Sequence, residues 1–113
     1  ERARGWLVAV DAATGRVRWR YASRRPMVSA VTVTAGDVVF AGELTGDLIG
    51  LDARTGAPLF RYALGAPLNG GIVTYTFGGR QFVAVTSGTA GGFWGVPGGP
   101  SKVTLFALPG TPR

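Results

Sequence analysis

The 113-residue sequence contains neither cysteine nor histidine. Without cysteine there is no disulfide frame and no thiolate metal site, and the redox compartment stays undecided. Without histidine, imidazole bases, Ser–His pairs and the usual transition-metal ligands are excluded as well. No apolar run approaches the ~20 residues of a membrane span, so we expect none in this segment. The chain begins at Glu1 with no recognisable targeting segment.

The composition predicts a folded domain rich in turns. Hydrophobic residues make up 46% of the chain and include three tryptophans, which argues against disorder. The 19 glycines and seven prolines indicate many turns between short strands, and they argue against long helices.

The positive charge is concentrated in one decade of sequence. The net charge is +6, and five arginines lie between Arg16 and Arg25. One interpretation is a basic patch for nucleic acid or an acidic partner. The other is the solvated face of an outer strand, where charges discourage edge pairing. We favour the second interpretation and expect no nucleic-acid partner, because the rest of the chain shows no matching basic surface.

A 17-residue unit occurs twice. The stretch from Gly46 to Tyr62, GDLIGLDARTGAPLFRY, repeats the stretch from Gly5 to Tyr21, GWLVAVDAATGRVRWRY, at an offset of 41 residues. A period near 40 is typical of a β-propeller blade with four short strands, and the apolar spacing of helical repeats is absent.

The pattern predicts nine strands and no helix, which makes the fold class all-β. Counted by blade, the chain supplies two strands of one blade, four of a second and three of a third. We therefore predict a β-propeller fragment of about two and a quarter blades with four-stranded antiparallel blades. The predicted boundaries within segment 1–113 are 5–22, 27–63 and 68–108, and the last blade includes a Gly- and Pro-rich loop at 88–101.

The repeated turn Asp-x-x-Thr-Gly has a structural explanation. An aspartate such as Asp11 or Asp52 can accept hydrogen bonds from the following backbone amides, and the glycine supplies a positive φ. Four residues later, Trp19 and Phe60 are predicted to slot between neighbouring blades, with the indole N–H on an acceptor. An aromatic platform for a planar ligand is the alternative for these two rings.

Trp94 stands beside Phe93 in the irregular loop. Long insertions of this kind are often functional. Contact with a ligand and capping of the propeller end are equally good interpretations of Trp94.

Three stretches together resemble the quinoprotein dehydrogenases that use pyrroloquinoline quinone (PQQ). The residues from Ala9 to Trp19, AVDAATGRVRW, are similar to the tryptophan-docking motif of that family. The stretch TAGDVVFAGELTGDLIGLDARTGAPLF, from Thr34 to Phe60, and the stretch TYTFGGRQFVAVTSG, from Thr74 to Gly88, resemble its C-terminal runs in the same order.

The resemblance implies an eight-bladed propeller that oxidises alcohols or sugars in the periplasm, with PQQ near the axis and Ca2+ or a lanthanide beside it. It also implies a cytochrome c as a candidate electron acceptor. The catalytic base and metal ligands of the family belong to earlier blades, so we expect no catalytic or metal-binding residue here. Family members often carry a Gly-Trp pair that touches the cofactor. The aligned pair here is Gly88 and Thr89, which are the candidate cofactor-binding residues.

On this interpretation the segment is mainly structural, its direct partners are the remaining blades, and it binds no cofactor alone. The alternative is a non-enzymatic propeller that acts as a scaffold or protein-binding platform. A slice of a propeller should also expose apolar groups on both terminal faces. We expect Trp19 or its contacts on one face, and Phe82 and Phe106 on the other.

Overall fold

The computed structural model describes residues 3–88 and 95–108, and these residues form nine β-strands and no helix. None of these residues therefore forms a helix able to cross a membrane. The strands are β1 (Gly5–Val10), β2 (Val17–Ser23), β3 (Val31–Val33), β4 (Val38–Gly42), β5 (Asp47–Asp52), β6 (Pro58–Ala63), β7 (Ile72–Phe77), β8 (Arg80–Ser87) and β9 (Lys102–Ala107).

The strands form three antiparallel sheets in chain order. The first sheet has the order β1-β2, the second β3-β4-β5-β6 and the third β7-β8-β9. The predicted all-β class and the strand counts of two, four and three are confirmed. The hairpin between β7 and β8 is tight, because both strands continue until only Gly78 and Gly79 connect them, at φ values of 58° and 76°. Two residues with positive φ match the twist of a β-hairpin.

The repeated turns have the predicted hydrogen bonds. Asp11 Oδ1 accepts from the amides of Ala13 and Thr14, at 2.9 and 3.1 Å, and Asp52 Oδ1 accepts from Arg54 N at 2.8 Å. These backbone bonds hold the pKa of the exposed Asp11 carboxyl below its usual value, because they favour the ionised form. The turns therefore close through their own side chains, which is a structural role for both aspartates.

Trp19 joins the first sheet to the second. Its indole Nε1 donates to the Ala53 carbonyl oxygen at 2.8 Å, and its ring covers Gly56 so closely that a Cβ there would lie 2.6 Å from Trp19 Cε3. The ring belongs to an apolar cluster between the two sheets. The cluster consists of buried Ala41, Ile49 and Leu51 with partly buried Leu7, Trp19, Tyr21 and Met27. The predicted slot between neighbouring sheets is confirmed for Trp19.

A polar cluster crosses the same interface around the buried carboxylate of Glu43. Ser23 Oγ and Tyr21 Oη donate to it from β2, at 2.7 and 2.9 Å. Arg61 Nη1 lies 2.9 Å from Glu43 Oε1 and 2.5 Å from Asp47 Oδ2. Each oxygen of the buried carboxylate thus has a donor, as burial of a charge requires.

The third sheet packs on the opposite face of the second. Its interface contains buried Leu48, Leu68, Ile72, Val83 and Val85, with Phe40, Leu64 and Phe106 packed against them. The innermost strands β3 and β7 also meet, because Thr32 Oγ1 donates to the Ile72 carbonyl oxygen at 2.6 Å. The second sheet is therefore covered on both faces, and each terminal sheet is covered on one face.

The uncovered faces of the terminal sheets carry exposed apolar residues, as predicted, but the assignment of two residues to these faces was wrong. Trp19 packs against the second sheet, and Phe106 lies edge-on to the rings of Phe60 and Tyr62, at 5.9 and 5.1 Å between centroids. Both are therefore interface residues. Side chains alternate between the two faces of a strand, so the residues on the outer faces are those that alternate with the interface residues. The exposed apolar residues are Trp6, Val8 and Val10 on β1 and Val73, Tyr75, Phe77, Val103 and Leu105 on the third sheet. Phe82 is on the outer face as expected, stacked on Tyr75 at 5.3 Å.

Candidate functional site

The end of β8 is held against the segment that leads into β7. Gly88 N donates to the Pro67 carbonyl oxygen at 3.0 Å, and Thr86 N donates to the Gly71 carbonyl oxygen at 3.2 Å. The Thr86 hydroxyl donates to the same Gly71 oxygen, also at 3.2 Å. These bonds fix the backbone around the predicted cofactor-binding residue Gly88.

Gly88 must be glycine. Its φ is 149°, within the region that L side chains rarely adopt, and a Cβ at this position would lie 2.7 Å from Ser101 Cα. The chain thus approaches the start of β9 here without room for a side chain. Thr89, the second predicted cofactor-binding residue, lies outside the described residues, as do Phe93 and Trp94.

An open cavity of about 380 Å3 lies beside Gly88. It is lined by Asn69, Thr86, Ser87, Gly88, Ser101, Lys102 and Val103. The lining residues therefore include three with a hydroxyl, one with an amide and one with an ammonium group, and none of the lining residues that the structure describes is acidic. This set of groups favours a ligand that accepts hydrogen bonds and carries negative charge.

Ser87 is the unusual member of the lining. Its side chain is 95% buried, since its exposed fraction is 5%. Within residues 3–88 and 95–108 its Oγ has no hydrogen-bond partner. Buried hydroxyls in folded proteins nearly always have a partner, so Ser87 is an exception in the described part of the chain.

Sequence reasoning identified Gly88 and missed the side chains around it. Asn69 precedes two glycines in a connection that carries no family motif, and Lys102 is the single lysine of the chain. Their common cavity depends on the pairing of β8 with β9, in which Ser87 lies opposite Lys102. The loop between these strands is too irregular for that register to be read from the sequence.

No group of three or more acidic, cysteine or histidine side chains suited to hold a metal ion occurs in the described part of the chain.

The arginines of β2 follow the strand pattern, because Arg18 and Arg20 are exposed whereas Trp19 and Tyr21 are half-buried. The Arg20 guanidinium lies 5.6 Å from the centroid of the Trp6 ring on its own sheet.

The fold and a match to a known family define the class of protein. The PQQ_2 family model, described as outer membrane protein assembly factor BamB, matches residues 3–104. The chain belongs to this family of β-propeller proteins.

Relatives similar in sequence include dehydrogenases, among them the "Quinoprotein alcohol dehydrogenase PedH" of Pseudomonas putida, with 34% identity over 93 residues. The chain is 37% identical over 87 residues to the "Putative dehydrogenase XoxF" of Paracoccus denitrificans. It is 36% identical over 87 residues to the "Lanthanide-dependent methanol dehydrogenase" of Methylorubrum extorquens. Each of the last two matches covers 77% of this chain and 14% of the relative, so the chain spans about a seventh of their length. The resemblance predicted from the sequence is confirmed.

Two solved structures are similar to the chain to different degrees. The quinohemoprotein alcohol dehydrogenase from Comamonas testosteroni matches with a TM-score of 0.80 and 28% identity, over 97% of this chain and 17% of that chain. BamB from Moraxella catarrhalis matches with a TM-score of 0.56 and 22% identity, over 74% of this chain and 26% of that chain. The likeness to BamB is one of fold alone.

Proposed function

We propose that the chain is the C-terminal propeller segment of a PQQ-dependent dehydrogenase that oxidises alcohols or sugars in the periplasm. Within it the blade boundaries would be 5–22, 27–63 and 68–108. The observation that carries the proposal is the TM-score of 0.80 to a quinohemoprotein alcohol dehydrogenase over 97% of the chain. The identities of 36–37% to the two dehydrogenase sequences support it.

Most residues of the segment have a structural role in this proposal. The remaining blades of the parent protein would cover the apolar outer faces of the first and third sheets. The catalytic base and the Ca2+ or lanthanide ligands would come from those other blades. A cytochrome c would accept the electrons.

Gly88 and Thr89 are the proposed contacts to the quinone. When bound, PQQ supplies a two-electron acceptor for oxidation of the substrate. The surroundings of Gly88 fit a ligand there, because the cavity beside it is lined by side chains that donate hydrogen bonds. Gly88 would contribute by keeping its own position free of a side chain.

Reconstitution of the full-length parent tests the proposal. The purified protein should gain dye-linked oxidation of an alcohol or a sugar when PQQ and Ca2+ or a lanthanide are added together. Omission of the quinone is the control, and activity should then be absent. A well-folded parent that binds no quinone and oxidises none of these substrates would contradict the proposal.

A scaffold is the second candidate function. The family model that matches the chain is described as an outer membrane protein assembly factor, and the BamB fold is similar. A propeller of this class would use its surfaces to bind other proteins without catalysis. The reconstitution experiment separates the two candidates, because only the dehydrogenase requires quinone.

A further inference from the structure

Arg20 and Arg61 occupy the same position in the two copies of the repeated unit, 41 residues apart. The register is also the same, since Val8 pairs with Arg20 and Ile49 pairs with Arg61. Arg61 Nη2 donates to Tyr21 Oη at 2.5 Å, across the interface between the first and second sheets. An arginine at this position therefore reaches the sheet that precedes its own.

Arg61 is held by two carboxylates of its own sheet. Its Nη1 lies 2.9 Å from Glu43 Oε1 and 2.5 Å from Asp47 Oδ2. The Arg61 side chain is 47% exposed although the first sheet lies against this face, so the position is at the rim of the interface. A guanidinium here is partly removed from water, and its charge is balanced by neighbouring carboxylates.

The first sheet offers Arg20 no such carboxylate. Trp6 stands at the position of Asp47, and Arg2 aligns with Glu43 in the sequence. The Arg20 guanidinium instead lies 5.6 Å from the centroid of the Trp6 ring, and Arg20 has no ion pair among residues 3–88 and 95–108. A sheet that covered this face would remove Arg20 partly from water, so it would have to supply the opposite charge.

The charge of this face also decides between two kinds of partner. Strands β1 and β2 contain no acidic residue, and Arg18 lies beside Arg20 on the exposed side of β2. A second copy of this chain is a poor match, because strands β7, β8 and β9 of its open third sheet contain no acidic residue either. That sheet carries a cation of its own on the open face, Arg80 over the Phe82 ring.

We propose that the outer face of the first sheet docks a β-sheet of the parent protein that presents an aspartate or a glutamate to Arg20. The partner lies on this face as the first sheet lies on the second, and its carboxylate takes the place that Asp47 and Glu43 have at Arg61. The inference rests on the part of the proposed function that places the chain in a larger propeller, and it does not depend on the quinone.

Urea unfolding of the full-length protein tests the inference with a neutral and a reversed charge at Arg20. At pH 7, Arg20→Met should raise the equilibrium constant of unfolding about threefold to tenfold, because it removes a partly exposed ion pair. Arg20→Glu should raise the constant further, because the new carboxylate repels the one on the partner sheet. High salt should reduce the difference between these two variants by screening that repulsion. Arg20→Lys should keep most of the wild-type stability by keeping the charge.

Arg18 is the matched control on the same strand. Its counterpart Leu59 remains 58% exposed in the second sheet, which is covered on both faces. Arg18→Met and Arg18→Glu should therefore each change the equilibrium constant by less than about twofold.

Two results would overturn the inference. One is wild-type stability of Arg20→Met, which would mean that Arg20 faces solvent. The other is an Arg20→Glu variant no less stable than Arg20→Met, which would mean that Arg20 faces a hydroxyl or another neutral group. Both results leave the requirement for quinone untouched, and the reconstitution experiment tests that requirement separately.

Discussion

β1 and β5 are two copies of one sequence unit, yet they differ in burial. Ile49 and Leu51 on β5 are 1% and 0% exposed, whereas their counterparts Val8 and Val10 on β1 are 40% and 53% exposed. β5 has a sheet packed on each face, and β1 has one on a single face. The same apolar pattern therefore appears once with its partner sheet present and once without it.

The two turns of the unit show the same difference. Gly15 and Gly56 have φ values of 74° and 76°, so their backbones are alike. Gly56 is covered by the ring of Trp19, whereas no described atom lies within 4 Å of a Cβ placed on Gly15. The turn at Gly15 thus has the geometry to be covered by an aromatic ring from a preceding sheet, as Gly56 is covered by Trp19.

The largest effect on the free energy of unfolding should come from removing the Trp19 ring that covers Gly56. In the full-length protein, Trp19→Ala should lower the free energy of unfolding by roughly 3–5 kcal/mol, because it removes a large aromatic side chain and an indole hydrogen bond. Arg18→Ala is the control on the exposed face of the same strand, with a change below about 0.5 kcal/mol. Urea unfolding measures both, and equal losses would mean that the faces of β2 are wrongly assigned.

Substitution of Gly15 and Gly56 tests whether an aromatic ring covers Gly15 in the full-length protein. Gly56→Ala should cost about 3 kcal/mol, since backbone strain of about 1 kcal/mol adds to overlap with the Trp19 ring. Gly15→Ala should cost the same if a preceding blade docks a ring there. A cost of only about 1 kcal/mol for Gly15→Ala, in thermal or urea unfolding, would mean that the turn faces no neighbouring sheet.

The polar cluster around Glu43 should contribute less to the free energy of unfolding than the Trp19 ring. Glu43→Ala leaves the hydroxyls of Tyr21 and Ser23 without an acceptor inside the interface, and we expect a loss of about 2 kcal/mol. The control is Asp37→Asn, which disrupts the exposed ion pair with Arg54 and should cost about 0.5 kcal/mol or less. A difference of zero between the two in urea unfolding would contradict the role of Glu43 at this interface.

The smallest effect concerns alkaline pH. Burial raises the pKa of Tyr21 above its ordinary 10.0, and the hydrogen bond to Glu43 adds to the shift. The unfolded chain therefore loses this proton first. The stability from Tyr21 is fully present below about pH 10 and is lost as the pH rises through the folded-state pKa. Tyr21→Phe should flatten the fall in unfolding free energy above pH 10, and an unchanged slope would contradict the assignment.

The sequence predicted the fold well because the fold is local and repeated. The tight turns carry their own glycine residues, with an aspartate in both copies of the repeated turn, and the offset of 41 residues aligned the two copies without structural information. The assignment of Phe106 to an outer face was wrong. A shift of one residue along a strand moves a side chain to the opposite face, so a small error in position reverses the assignment.

The candidate site was harder to predict than the strands. Gly88 was found through resemblance to a family motif. Ser87, Asn69 and Lys102 come from three separate segments, and only the pairing of β8 with β9 and the docking of the segment before β7 bring them together. Long-range packing of this kind leaves no periodic signal in the sequence.

Light scattering on the purified 113-residue chain tests most directly whether these three sheets are part of a larger propeller. In the described part of the chain, two sheets each expose apolar residues on one face and an unpaired strand edge, which recruit other chains. We expect association or aggregation, with a scattering mass well above that of one chain. A well-dispersed monomer with a cooperative thermal transition would contradict the account.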